Sequence, residues 1–103
     1  MSWMQVAQAS EIPDGEGYAA TAAGRHIAIF KVEGELFACD GICTHGHAHL
    51  AEGYVEGDEV ECPLHAGRFN VRTGKALCAP ARIDIATFPV EIRDGEVFVD
   101  VPA

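Results

Sequence analysis

Positive charge is scarce in this chain: seven Lys plus Arg stand against sixteen Asp plus Glu among 103 residues, a formal net charge of −9. That balance argues against a nucleic-acid partner, because phosphate contacts need a basic footprint. A partner with a basic docking surface suits it better, unless the acidity serves only to keep a small β protein soluble. Long apolar runs are missing too. Hydrophobic residues make up 49% of the chain, but eleven glycines and five prolines break them up, and no stretch approaches the roughly 18 residues of a membrane span. The N-terminal MSWMQVAQASEIPDG has no basic start and no apolar run leading to a small-residue cleavage site, so a cytoplasmic, soluble protein is expected. No long segment carries a helical stripe. No Rossmann glycine fingerprint, internal repeat or linker is visible, which leaves no nucleotide or flavin site to propose.

What the chain does have is short strand-like runs rich in β-branched and aromatic residues, at 3–7, 18–21, 26–32, 36–39, 60–62, 68–71, 90–93 and 97–101. Ala23-Gly24, Glu33-Gly34 and Asp94-Gly95 each separate two such runs by a tight turn, Asp-Gly being a strong hairpin signal, and Thr73-Gly74 reads as another turn. Residues 7–12 and 79–85 read as loops with at most a short helical turn. The expected fold is one all-β domain of antiparallel barrel or sandwich type over residues 1–103. A domain of this length buries only about two thirds of the surface its unfolded chain exposes, so a metal or disulfide cross-link would help it.

Residues 43–67 read CTHGHAHLAEGYVEGDEVECPLHAG, placing two cysteines and four histidines in one short stretch. Nothing directs the chain to an oxidising compartment, so cysteines interspersed with histidines read as metal ligands before disulfides. Cys39 and Cys78 lie in apolar surroundings without a histidine at ligand spacing, and are expected to be small buried hydrophobes. The remaining pairs are Cys43 with His45 and Cys62 with His65. Two thiolates and two imidazoles can bind Zn²⁺ tetrahedrally as a structural Cys2His2 module, or hold a [2Fe-2S] cluster with cysteines on one iron and histidines on the other. Zinc fingers usually group like ligands on one local element, whereas here each loop mixes them, as it must if both loops reach both irons. Gly46 and Gly67 leave room for backbone N–H groups to approach the sulfurs. His47 and His49 are expected to form a polar collar rather than to replace His45, and His26 to be an ordinary strand histidine far from both loops.

Cys43-Thr44-His45, then sixteen residues, then Cys62-Pro63-Leu64-His65 resembles the Rieske signature, C-x-H followed by C-x-x-H. The downstream GRFNVRTGKALCAPARIDIATFPVEI is similar to the corresponding stretch of Rieske-type [2Fe-2S] ferredoxins of bacterial aromatic-ring-hydroxylating dioxygenase systems, the naphthalene-dioxygenase type above all. The resemblance implies a base of antiparallel sheets with an inserted cluster-binding subdomain at about 41–81. It also implies one Rieske [2Fe-2S] cluster held by Cys43 and Cys62 on the inner iron and by His45 and His65 on the outer iron. A third loop at residues 79–81, carrying Pro80, would cover the cluster, and Ala66 departs from the glycine common after the second histidine.

With four protein ligands and bridging sulfides neither iron keeps an open position, and no second constellation supplies a nucleophile and base, so no catalytic residue is assigned and the chain is not itself an enzyme. The resemblance implies a monomeric one-electron carrier that takes electrons from a flavoprotein NAD(P)H-dependent reductase and delivers them to a terminal ring-hydroxylating oxygenase. The small Rieske subunit of an assimilatory nitrite reductase is the alternative within the same fold. High-potential Rieske proteins resemble the chain at its four ligands but add a cysteine to each loop, and a serine and a tyrosine after the second histidine. Here those positions are Ala48, Leu64, Gly67 and Phe69, which implies a low potential. Glu52, Glu56, Asp58, Glu59 and Glu61, with no base among them, mark a candidate docking face.

Overall fold

The computed structural model describes residues 2–44, 48–64, 67–79, 81 and 83–102. Their strands, in chain order, are β1 (Ser2–Gln8), β2 (Gly17–Ala22), β3 (Arg25–Val32), β4 (Glu35–Asp40), β5 (Tyr54–Glu56), β6 (Glu59–Glu61), β7 (Arg68–Asn70), β8 (Ala76–Cys78), β9 (Thr87–Phe88), β10 (Val90–Arg93) and β11 (Glu96–Val101). Single 3-10 turns lie at Ala9–Glu11 and Leu50–Glu52. The expected all-β antiparallel architecture is what forms.

Two-residue turns set most of the connectivity. Ala23-Gly24 joins β2 to β3, Glu33-Gly34 joins β3 to β4, and Asp94-Gly95 joins β10 to β11, and all six residues have φ between 50° and 82°. This is the turn geometry whose twist matches that of the flanking strands. Three sheets result, in strand orders β1-β11-β10, β2-β3-β4-β9 and β5-β6-β7-β8. The third is contiguous in sequence and lies between β4 and β9.

Strand alternation makes β3 a wall with two buried faces. Ile27 and Ile29 point into a core with Ala7, Ile12, Ala22, Ala38, Phe88, Val97, Val99 and Val101. Ala28, Phe30 and Val32 point the other way, into a core shared with Cys39, Val60, Phe69 and Val71. The first core lies between the two outer sheets, and the second attaches the β5–β8 sheet to β3 and β4.

Three strands escaped the sequence reading. β5 and β8 have three residues each and β9 two, too short for alternation to register, and β8 contains no β-branched residue. Cys62 and Val71, expected at strand ends, lie just beyond them. Cys78 is a correction: it is exposed, not buried. It sits on β8, an edge strand of its sheet, where the outward side chain has no layer to cover it. Among the described residues no helix is long and apolar enough to cross a membrane.

Candidate metal centre

The two cysteine-bearing loops are built alike. In the first, β4 ends at Asp40 and the chain returns against itself, with Ile42 bridged antiparallel to His49 and the Leu50 N–H donating to the Gly41 carbonyl at 2.9 Å. Inside that bridge the Cys43 N–H donates to the Ala48 carbonyl at 3.0 Å. In the second, the β6–β7 ladder ends at the Glu61–Arg68 pair, and the Cys62 N–H donates to the Gly67 carbonyl at 2.7 Å. Each cysteine therefore opens a six-residue loop closed by a hydrogen bond from its own N–H to the carbonyl five residues on. Both cysteines are buried, at 3% and 1% exposure, in the same core as Phe69 and Ala81. His45, Gly46, His47, His65 and Ala66 lie outside the described residues.

A third loop is tied to this pair. The Thr44 hydroxyl donates to the Ile83 carbonyl at 2.8 Å. Around it the Ala76 N–H donates to Asp84 Oδ1 at 2.9 Å, the Ile85 N–H to the Gly74 carbonyl at 2.7 Å and the Asp40 N–H to the Ala86 carbonyl at 2.8 Å. Four consecutive residues, 83 to 86, are thus each anchored, two to residues 40–44 and two to residues 74–76. Ala81 of this loop is buried beside both cysteines, while Pro80 lies outside the described residues. At the same end of the molecule Leu64 and Ile83 are each 66% exposed, an apolar surface in a chain otherwise rich in acid.

The acidic stretch is less bare than its sequence suggests. Arg68, at the foot of the second loop, reaches Glu56 at 3.0 Å, Glu59 at 3.2 Å and Glu61 at 3.5 Å, and Arg72 reaches Asp58 at 3.6 Å. The Arg68 Nε contact to Glu59 has ion-pair distance but not hydrogen-bond alignment. Desolvation opposes the guanidinium charge, but the Glu56 hydrogen bond and the charges of Glu56, Glu59 and Glu61 outweigh it and raise the Arg68 pKa. Local sequence could not show this, because the arginines come from β7 and the turn after it.

Cys39 takes the structural role expected of it. Burial first, and the neighbouring Asp40 second, push its thiol up to about 12, which marks a protonated hydrophobe and not a ligand. His26 is a second correction: it is exposed, but it is not far from the loops, because its ring meets that of His49 edge to face at 5.2 Å between centroids. Antiparallel pairing brings the start of β3 beside the end of β4, where the first loop begins.

The donor chemistry suits a cluster with mixed ligands. Two buried thiols in twin hydrogen-bonded loops would hold one iron, and a histidine two residues past Cys43 and another three past Cys62 would supply nitrogen for the other.

Comparison with known proteins agrees. The family model described as the Rieske [2Fe-2S] domain matches residues 2–89. The ferredoxin component of the naphthalene 1,2-dioxygenase system of Pseudomonas putida is 46% identical over 101 residues, covering 98% of this chain and 97% of that protein. Among solved structures, the Sphingomonas yanoikuyae B1 ferredoxin superposes with a TM-score of 0.92 at 40% identity, covering 98% of this chain and all of that one. A chain from a complex of reduced oxygenase and oxidized ferredoxin in carbazole 1,9a-dioxygenase gives 0.88 at 38% identity, over 94% of this chain and 91% of that one.

Proposed function

Because the chain belongs to the Rieske [2Fe-2S] domain family, we propose that Cys43, His45, Cys62 and His65 hold its cluster, within a cluster-binding subdomain of about residues 41–81. The protein is a ferredoxin component of a dioxygenase system, an electron carrier and not the catalytic enzyme. Its cofactor supplies reversible one-electron storage. The observation that carries the ligand assignment is the matched pair of loops, each closed from the cysteine N–H to the carbonyl five residues on, with both thiols in one core.

The chain's own residues do the rest. The closing hydrogen bonds fix the Cys43 and Cys62 backbones, so the thiols need no rearrangement when charge arrives. Phe69, Ala48, Leu50 and Ala81 keep water from the inner side, and the Thr44 hydroxyl holds the third loop against the first. Exposed Leu64 and Ile83 give the tip an apolar contact surface, suited to brief docking by two partners in turn. Those partners are an NAD(P)H-dependent flavoprotein reductase that donates the electron and a terminal ring-hydroxylating oxygenase that accepts it. The carrier works as a soluble cytoplasmic monomer.

The test is spectroscopic. Purified protein is expected to be coloured when oxidised and, when reduced, to give an electron paramagnetic resonance signal with average g below the free-electron value. A signal typical of all-cysteine ligation would overturn the assignment of His45 and His65. Zinc in place of iron and sulfide would overturn the carrier reading entirely, and tight co-purification with a sirohaem subunit would favour the nitrite reductase assembly.

A further inference from the structure

We propose that His26 and His49 form a second metal site, separate from the cluster, that takes a borderline divalent cation such as Zn²⁺ and fastens the first ligand loop to β3. The two imidazoles come from different segments and meet with centroids 5.2 Å apart and planes at 84°. With Zn–N bonds of about 2.0–2.1 Å and a tetrahedral angle between them, two imidazoles on one ion have centroids about 5 Å apart. The observed spacing matches that of a chelate as well as that of an edge-to-face ring pair. Rotation about χ2, which is soft for histidine, is the adjustment that would turn one nitrogen of each ring to a common point.

Both backbones are held where they are. The His26 carbonyl accepts the Gly41 N–H at 2.8 Å, and a Cβ at Gly41 would lie 2.8 Å from the His26 carbonyl carbon and 3.0 Å from its Cβ. His26 thus packs on backbone at the root of the loop, a fit that only glycine at position 41 allows. His49 is fixed by its bridge to Ile42 and is half-buried, while His26 is open to solvent. Neither imidazole has a hydrogen bond or ion pair with a described residue, so their nitrogens remain available to a cation. Imidazole suits Zn²⁺, Cu²⁺ and Ni²⁺ and not the hard cations, and water would complete the coordination. Such an ion would link the base sheet to the loop that carries Cys43.

The test uses cluster-loaded protein, in which the cluster occupies its own histidines, with Cys78→Ser as background so that the exposed thiol does not compete. Calorimetric titration with Zn²⁺ alone is expected to give one ion per chain. His26→Ala and His49→Ala should each weaken that binding at least tenfold, and Zn²⁺ should raise the thermal midpoint of the background protein but of neither variant. His26→Gln serves as a second probe if His26→Ala disturbs folding, which the reduced cluster's resonance spectrum reports. Binding of equal strength after loss of His26, or no binding at millimolar Zn²⁺, overturns the site.

Discussion

β3 sends Ile27 and Ile29 into one core and Ala28, Phe30 and Val32 into another, and the two cores are closed by different means. The first is hydrocarbon throughout, with Val97, Val99 and Val101 of β11 facing Ile12, Ala38 and Phe88. The second includes Cys39, Cys43 and Cys62, and its margin consists of loops. One core is complete on burial alone. The other holds the two cysteines proposed as cluster ligands, each at the mouth of a loop closed by its own N–H. Stability and function are thus divided between two faces of one strand.

The harshest way to break this comparison is to remove the cluster. In Cys62→Ser the cluster absorption is expected to vanish, and hydrogen exchange should accelerate across β5–β8 while β2–β4 and the β1-β11-β10 sheet keep their protection. Uniform exchange in all three sheets would show one cooperative unit and erase the distinction.

Paired truncations come next. Ile29→Ala should cost about 2–5 kcal/mol and Phe69→Ala about 3–5 kcal/mol, both side chains being fully buried. Only Phe69→Ala should also speed loss of iron to a chelator. Equal rates of iron loss in the two variants would mean that the cores are coupled through β3 more tightly than their compositions suggest.

The hydrocarbon core was the more legible half in the sequence. The alternation of β3 and β11 and the three glycine turns gave strands within a residue or so of those observed, because regular burial leaves a period to read. The β5–β8 sheet was half legible: β6 and β7 lie within a residue of the expected runs at 60–62 and 68–71, whereas β5 and β8 are too short to show a period and the two cysteine loops have none. Ligand spacing revealed those loops where periodicity could not. Contacts that cross between segments left no local signal. Arg68 among three glutamates, Thr44 on Ile83 and His26 on His49 each join residues at least seven positions apart. The misjudged Cys78 has the same origin, since an apolar neighbourhood in sequence does not reveal that β8 is an edge.

Cys39 distinguishes a thiol used as hydrocarbon from the thiols proposed as ligands. Its folded pKa is raised from 9.0 to about 12, so its contribution to stability is whole below pH 9.0. It declines as the pH rises from there toward about 12, where the unfolded chain ionises and the folded chain does not. Urea midpoints measured against pH should fall more steeply above pH 9.0 in wild type than in Cys39→Ala. Parallel curves would show that the thiol is not sealed in the core.

A finer probe acts on the second loop alone. Gly67 and Phe69 place no hydroxyl near the sulfurs, so the potential is expected near the bottom of the Rieske range of roughly −150 to +300 mV. Gly67→Ser combined with Phe69→Tyr should raise it. A hydrogen bond to a charged acceptor is worth about 1.5–3 kcal/mol, and because it stabilises both oxidation states, its full value sets an upper limit of roughly 65–130 mV per bond for one electron. Protein-film voltammetry would check both values, and a wild-type potential well above zero would contradict the proposed direction of electron flow.

The smallest expected effect concerns the outer face of the β5–β8 sheet, where Arg68 and Arg72 offset four of the five acids between Glu52 and Glu61. If the residual acidity steers a basic partner, reduction by the reductase should slow as salt shortens the Debye length from about 30 to 8 Å. Arg68→Gln uncovers Glu56, Glu59 and Glu61 together. Stopped-flow rates for it should exceed wild type at low salt and converge with wild type at high salt, because screening removes the difference while leaving apolar contacts at Leu64 and Ile83 intact. A variant slower than wild type at low salt would make Arg68 itself a docking contact, with its glutamates serving to hold it in place. Salt-independent rates in both proteins would leave docking to the apolar tip and give these acids no part in it.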